Sequence, residues 1–279
     1  MEHVDILIVG AGAAGISAAK AAAGTGKSVA LVDRGEAMGG VLLQCAHRGF
    51  GKQLTGSEYT RQLLLNFPET VRFLPKTTVL SISKERTALL SGGRTISFDR
   101  LILATGCRCI PAGALPIAGT RPKGVYTAGQ MQEMMNLHGY RPEGPAVILG
   151  SGDLGLIMAA QLTDAGVQVA AIVEKSSRIG AMTRNQRFLQ TVPIPLYLND
   201  TISELHGYPR LEGVSLAGGA YIPCKTLLTA VGLRPEQELI LHLGNPRWLT
   251  LCGNCRTVHP MVEAVVNEGI QAGIAAGKE

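Results

Sequence analysis

Val4–Gly15, VDILIVGAGAAG, is the stretch on which the reading of this chain turns. Its first half, apolar but for Asp5, is the pattern of a parallel strand buried on both faces. It enters Gly10-Ala-Gly12-Ala13-Ala14-Gly15 without a spacer, and an Ala-rich segment to Ala23 follows with helical composition. A second strand, Ser28–Asp33, ends on a carboxylate, with Arg34 next in the chain. Strand, glycine turn, helix and acid-ended strand together make a dinucleotide fingerprint. Gly10 allows the tight turn, Gly12 lets a pyrophosphate approach the backbone, and Gly15 lets the helix lie close to the strand. Free N–H groups at the helix start favour the phosphates, and Asp33 suits a ribose diol.

The unit recurs. PAVILG, residues 145–150, leads into Gly150-Ser-Gly152-Asp153-Leu154-Gly155, a helix is expected to about Ala165, and the strand from Val167 ends on Glu174. Two fingerprints imply two nucleotide sites. The expected fold is therefore α/β with two Rossmann-like dinucleotide-binding domains. One spans residues 1–112 and 236–279; the other is inserted as residues 113–235. Pro- and Gly-rich segments at 111–124 and 232–235 mark the crossings. No C-terminal dimerisation domain is expected after Glu279.

Between the fingerprints, Gly39-Gly40-Val41 would let the chain pass close to a long cofactor. Thr55-Gly-Ser-Glu58 is a capping box opening a helix. Strands are expected at Val71–Leu74, Thr78–Ser83 and Arg94–Leu103, the last running into Ala104-Thr105-Gly106.

Composition excludes several classes. The net charge of +5 is spread without a basic run, so nucleic acid is not an expected partner. No apolar stretch reaches spanning length. The first residues lack the basic start of a signal peptide, and six irregularly spaced cysteines do not form a disulfide framework, so a cytoplasmic location is expected.

In the order GxGxxG, acid, GG, ATG and second GxGxxG, the chain resembles the pyridine nucleotide-disulfide oxidoreductase superfamily. More specifically, GGVLLQCAHRGFG, LTGSEY, ATGCR, GTRPKGVYTAG, ILGSGDLGLIMA and CGN…H…EG…AG resemble a group of small FAD-dependent oxidoreductases. Members occur beside glycerol-3-phosphate dehydrogenases and are related to flavoprotein subunits of opine and hydroxyproline dehydrogenases. The resemblance covers nearly the whole chain. It implies that Gly10, Gly12, Ala13, Ala14, Gly15, Asp33, Arg34, Gly39, Gly40, Val41, Val79 and the Ala104–Gly106 turn contact FAD. Gly253 and Asn254 would complete that site, with a helix from about Met261 aimed at the flavin. Gly150, Gly152, Asp153, Leu154, Gly155, Glu174 and Gly232 would hold NAD(P)H, with NADH favoured because Glu174 accepts from a ribose 2′-OH and repels a 2′-phosphate. The segment between Gly232 and Cys252 is shorter than the superfamily pattern.

The superfamily's redox cysteine pair after the GG turn is absent, since only Cys45 stands there. Cys107 with Cys109 and Cys252 with Cys255 would suit a metal or cluster only if they converge; small buried or semi-buried thiols are the expectation, with no metal. Cys45, His47 and His259 are the candidates for catalysis, the histidines either as proton carriers or as structural hydrogen-bonding groups. The expected function is hydride transfer from NAD(P)H to FAD and onward to a small-molecule acceptor. The alternative is a flavoprotein subunit passing electrons from a partner dehydrogenase subunit.

Overall fold

The computed structural model describes residues 2–278. The chain divides into two compact units: residues up to Cys107 together with those from Arg234 on, and Arg108–Leu233.

The first unit is built on Glu2–Val9. This strand lies parallel to Val29–Val32 on one side and Thr95–Leu103 on the other, and Val71–Leu74 extends the sheet past Val29–Val32. Leu7 and Ile8 are completely buried, as a central parallel strand covered on both faces requires. Thr95–Leu103 changes partner along its length. Thr95–Ser97 pairs antiparallel with Thr87–Leu89, and Leu101–Leu103 pairs parallel with Leu249–Leu251. A hairpin of Val79–Ile82 and Thr87–Leu90 completes the sheet. The strand Thr87–Leu90 escapes a sequence reading because TALL is too short to show a period. The shortened stretch before Cys252 still delivers its strand, and Trp248 packs its ring against Phe98 at 5.7 Å.

Helix Ala13–Ala23 packs against the late helix Val262–Lys278 at backbone distance. A Cβ on Gly269 would fall 2.2 Å from Ala14 O, and one on Gly273 2.3 Å from Ala18 O. The glycines on one helix and alanines on the other are thus what permits the contact. The helix Gly56–Leu64 starts on the predicted box, with Thr55 and Glu58 capping each other's backbone. Lys20 Nζ donates to Leu63 O and Leu65 O, placing a cation at that helix's negative end.

The second unit carries a five-stranded parallel sheet in the order Val125–Thr127, Thr226–Thr229, Ala146–Leu149, Val169–Glu174 and Leu196–Leu198. Helices Ala128–His138 and Asp153–Asp164 contribute to one apolar cluster around it. A four-stranded sheet, Ala118–Gly119, Ile202–His206, Gly213–Leu216 and Tyr221–Pro223, contributes to the other. Both units are α/β dinucleotide-binding folds. Among the described residues, no helix is long and apolar enough to cross a membrane.

Candidate functional site

Each fingerprint sits where a parallel strand gives way to its helix, at the carboxyl end of its sheet, the position at which such folds take ligands. The three glycines of the first fingerprint differ in why they are glycine. A Cβ on Gly10, at φ +103°, would lie 2.4 Å from Ala104 O, and one on Gly15 would collide with Gly10 O. A Cβ on Gly12 meets nothing within 4 Å. The outer two are demanded by the fold; the middle one faces open space, the side from which a pyrophosphate would approach.

The second fingerprint repeats this arrangement. A Cβ on Gly150 would lie 2.4 Å from Ala230 O, while one on Gly152 meets nothing within 4 Å. Gly155 is closed off by Gly150 O. Thus the segment Ala230–Gly232 lies against Gly150 as Ala104–Gly106 lies against Gly10. Ala230 does not stand out in the sequence, because its neighbours carry no ATG signature.

The terminal acids are already engaged by their own loops. Asp33 Oδ2 accepts from Ala11 N at 2.6 Å and Oδ1 from Gly35 N at 2.7 Å. Glu174 Oε2 accepts from Ser151 N and Oγ, and Oε1 from Ser176 N. Burial opposes ionisation of Glu174, but the bonds from Ser151 and Ser176 outweigh it and hold the carboxyl below its ordinary value.

The Gly39–Gly40 turn lies beside the first fingerprint. Gly39 N donates to Ala11 O, and a Cβ on Gly40 would stand 3.0 Å from Gly12 Cα. Val41 and Arg34 are exposed, while Val79 belongs to the buried cluster containing Leu74 and Ile82. Thr105 Oγ1 donates to Glu236 O, fixing the Ala104–Gly106 turn.

The second fold has a counterpart to the GG turn that the sequence did not reveal. Gly180 approaches Gly152, Gly180 N donates to Ser151 Oγ, and Ala181 N donates to Ser151 O. Asp153 Oδ1 accepts from Met182 N and Asn185 Nδ2, so its charge is tied to this segment. Leu154 is half-buried and packs on the cluster behind the helix.

Gly253 joins the first site through the fingerprint helix: at φ +68°, a Cβ on it would stand 2.8 Å from Ala14 Cβ. Asn254 Oδ1 accepts from His259 N at 3.0 Å. His259 Nε2 lies 3.1 Å from Glu268 Oε1, an ion-pair distance outside hydrogen-bond alignment. His47 packs its ring against Phe50 at 5.2 Å.

The thiols are muted. Cys45 is buried beneath the start of helix Gly56–Leu64, donates to Val41 O, and has its thiol pushed up to about 12 by desolvation. Burial raises Cys252 as well, with the Cys255 and Glu268 charges adding to it. Cys255 is also raised by burial and donates to Leu103 O and Cys252 O. Half-buried Cys109 is raised by burial against the opposing bonds of Gly129 and Thr127. Among the described residues the cysteines form no group of three ligand atoms, whereas His3, Asp5 and Asp99 do, as a largely exposed set.

Known proteins resemble this chain over most of its length. An opine oxidase subunit of Rhizobium meliloti is 32% identical over 274 residues, covering 85% of this chain and 52% of that protein. Hydrogen cyanide synthase subunit HcnB of Pseudomonas aeruginosa is 31% identical, covering 76% of this chain and 47% of the other. The chain thus spans about half the length of these relatives. In fold it matches a thioredoxin reductase of T. acidophilum with a TM-score of 0.80 at 22% identity, covering 100% of this chain and 99% of that one. Residues 4–258, which run through both fingerprints and the Gly253–Asn254 turn, match the family described as pyridine nucleotide-disulphide oxidoreductase, and the chain belongs to it.

Proposed function

We propose that the chain is an FAD-containing oxidoreductase unit whose first fold holds FAD and whose second holds NADH. The observation that carries this is the twice-repeated geometry of Gly12 and Gly152, the fingerprint glycines whose missing Cβ leaves room for a ligand. Bound FAD supplies hydride acceptance and electron release that no side chain here offers. Gly12 and the start of helix Ala13–Ala23 would receive the pyrophosphate, Asp33 the ribose, and Gly39, Gly40, Gly106, Gly253 and Asn254 the remainder. In the second fold, Gly152 and the start of helix Asp153–Asp164 would receive the nicotinamide dinucleotide's phosphates and Glu174 its ribose. The Glu174 carboxylate is held by the Ser151 and Ser176 bonds and would oppose a 2′-phosphate.

Electrons would leave to an acceptor directly, because the thiols near the first fold are buried and held protonated. A second reading is supported by the relatives' names, which are those of subunits. In it, the chain is the flavoprotein component of a hetero-oligomeric dehydrogenase and receives electrons from a partner. Anaerobic addition of NADH to the purified yellow protein tests both. Prompt bleaching of the flavin band supports the first reading. A flavin that bleaches only when the partner dehydrogenase and its substrate are present supports the second, and a protein that takes up no flavin refutes both.

A further inference from the structure

We propose that Glu268 is the positioning residue that holds the Gly253–His259 loop in its FAD-receiving shape. The inference rests on the reading that the first fold binds FAD. Glu268 lies in the late helix Val262–Lys278, next to Gly269, whose missing side chain lets that helix touch Ala14 of the fingerprint helix. From there its carboxylate reaches back across the loop. Oε2 accepts from Gly253 N at 2.8 Å, and Oε1 lies 3.1 Å from His259 Nε2 and 3.4 Å from Arg256 Nη1.

Those contacts are made at both ends of one loop. Gly253 begins it at a positive φ, and its carbonyl accepts from Arg256 N and Thr257 N. His259 ends it, with its amide bound to Asn254 Oδ1. Glu268 therefore binds the start of the loop at the Gly253 amide and lies beside its end at His259, whose amide is in turn held by Asn254. With its side chain about one-fifth exposed, it is shielded enough from water for the amide bond to count. An isolated loop amide would bond water as readily as a ligand. Held by Glu268, Gly253 has its orientation set before any cofactor arrives, which lowers the ordering cost of binding.

The test strips flavin from the wild-type chain and from Glu268→Gln and Glu268→Ala variants, then titrates each with FAD by fluorescence quenching. Amide hydrogen exchange at Gly253 is followed in the same proteins without FAD. Alanine removes the acceptor, so FAD binding weakens about tenfold or more and Gly253 exchanges faster. Glutamine keeps a carbonyl acceptor, so FAD affinity stays within about threefold of wild type and Gly253 stays protected. Should the alanine variant not fold, Glu268→Asp, which keeps the charge but shortens the reach, is expected to show the same loss. FAD affinity unchanged in the alanine or aspartate variant would overturn the proposal, as would equal loss in the alanine and glutamine variants or unaltered Gly253 exchange in the alanine variant. A wild-type chain that takes up no FAD, with Gly253 exchange still dependent on Glu268, would instead overturn the FAD reading and reduce the contact to a structural one.

Discussion

Glu174 Oε2 accepts two hydrogen bonds from Ser151, one from its amide at 2.8 Å and one from its hydroxyl at 2.7 Å. The end of one strand is thereby tied to the turn that follows its neighbour. Asp33 binds the Ala11 amide in the same way in the first fold, but alanine has no hydroxyl to add a second bond. Ser151 is fully buried and also accepts from Gly180 N, so removing its hydroxyl leaves that amide without its partner and takes one of two bonds from Glu174 Oε2. Ser151→Ala is expected to destabilise the chain by roughly 1–2 kcal/mol in chemical denaturation. An unchanged midpoint would count against the assignment.

The same pair sets a pH dependence. The folded-state pKa of Glu174 is depressed below 4.5, so its contribution to stability is present above that value. It is lost as pH falls through the lower, folded value. The difference between the melting curves of wild type and Ser151→Ala should therefore be larger at neutral pH than in acid. The Gly180 bond is independent of pH and leaves a residual difference, so a gap that does not narrow at all as pH falls would count against the Glu174 contribution.

Gly12 and Gly15 should respond in opposite ways. Gly12 has an ordinary φ of −77° and nothing near its missing Cβ, so Gly12→Val should leave the melting temperature nearly unchanged while abolishing flavin binding. Gly15→Ala forces a methyl into Gly10 O and should cost about 3 kcal/mol or more in stability. Full flavin content in Gly12→Val would refute the assignment of the first site.

NADH is expected to exceed NADPH in kcat/KM by about tenfold or more, through repulsion between the Glu174 carboxylate and a 2′-phosphate. Lys175 and Arg178 follow closely in sequence and are the cations able to oppose this. Glu174→Ala should narrow the ratio. Equal efficiencies with both nucleotides in the wild type would remove the basis for the preference.

The cysteines should stay out of the redox cycle. Cys45 and Cys224 are each pushed up to about 12 by burial, so iodoacetamide at about pH 8 should leave them unmodified in the folded chain. Anaerobic NADH should deliver two electrons per FAD, with no thiolate–flavin charge-transfer band. Uptake of four electrons, lost in Cys252→Ser or Cys255→Ser, would show a working dithiol.

Both fingerprints with their flanking strands and helices, the capping box at Thr55 and the strands Val71–Leu74 and Thr95–Leu103 were legible from the chain alone, whereas the short strands Val125–Thr127, Leu196–Leu198 and Thr226–Thr229 were not. The turns, helices and cap rest on contacts between residues close in sequence, and the strands on their own apolar runs, so glycine spacing and composition carry the information directly. The fingerprint spacing assigns Gly12 and Gly152 to ligand approach and their flanking glycines to the turn and helix packing, and the folded backbone supplies the contacts that separate them: open space at the middle glycine, a carbonyl oxygen at 2.4 Å or less at the outer two. Ala230 and Gly180 escaped the sequence, and Glu268 entered it only within the EG of the resemblance motif without its role. What makes them part of a site is a partner brought near by the sheet or by helix packing: Gly150, Gly152 and Gly253 respectively. Tertiary structure also decided the state of the thiols, because CxxC spacing says nothing of solvent, and the burial of Cys252 and Cys255 removes the water that would stabilise a thiolate.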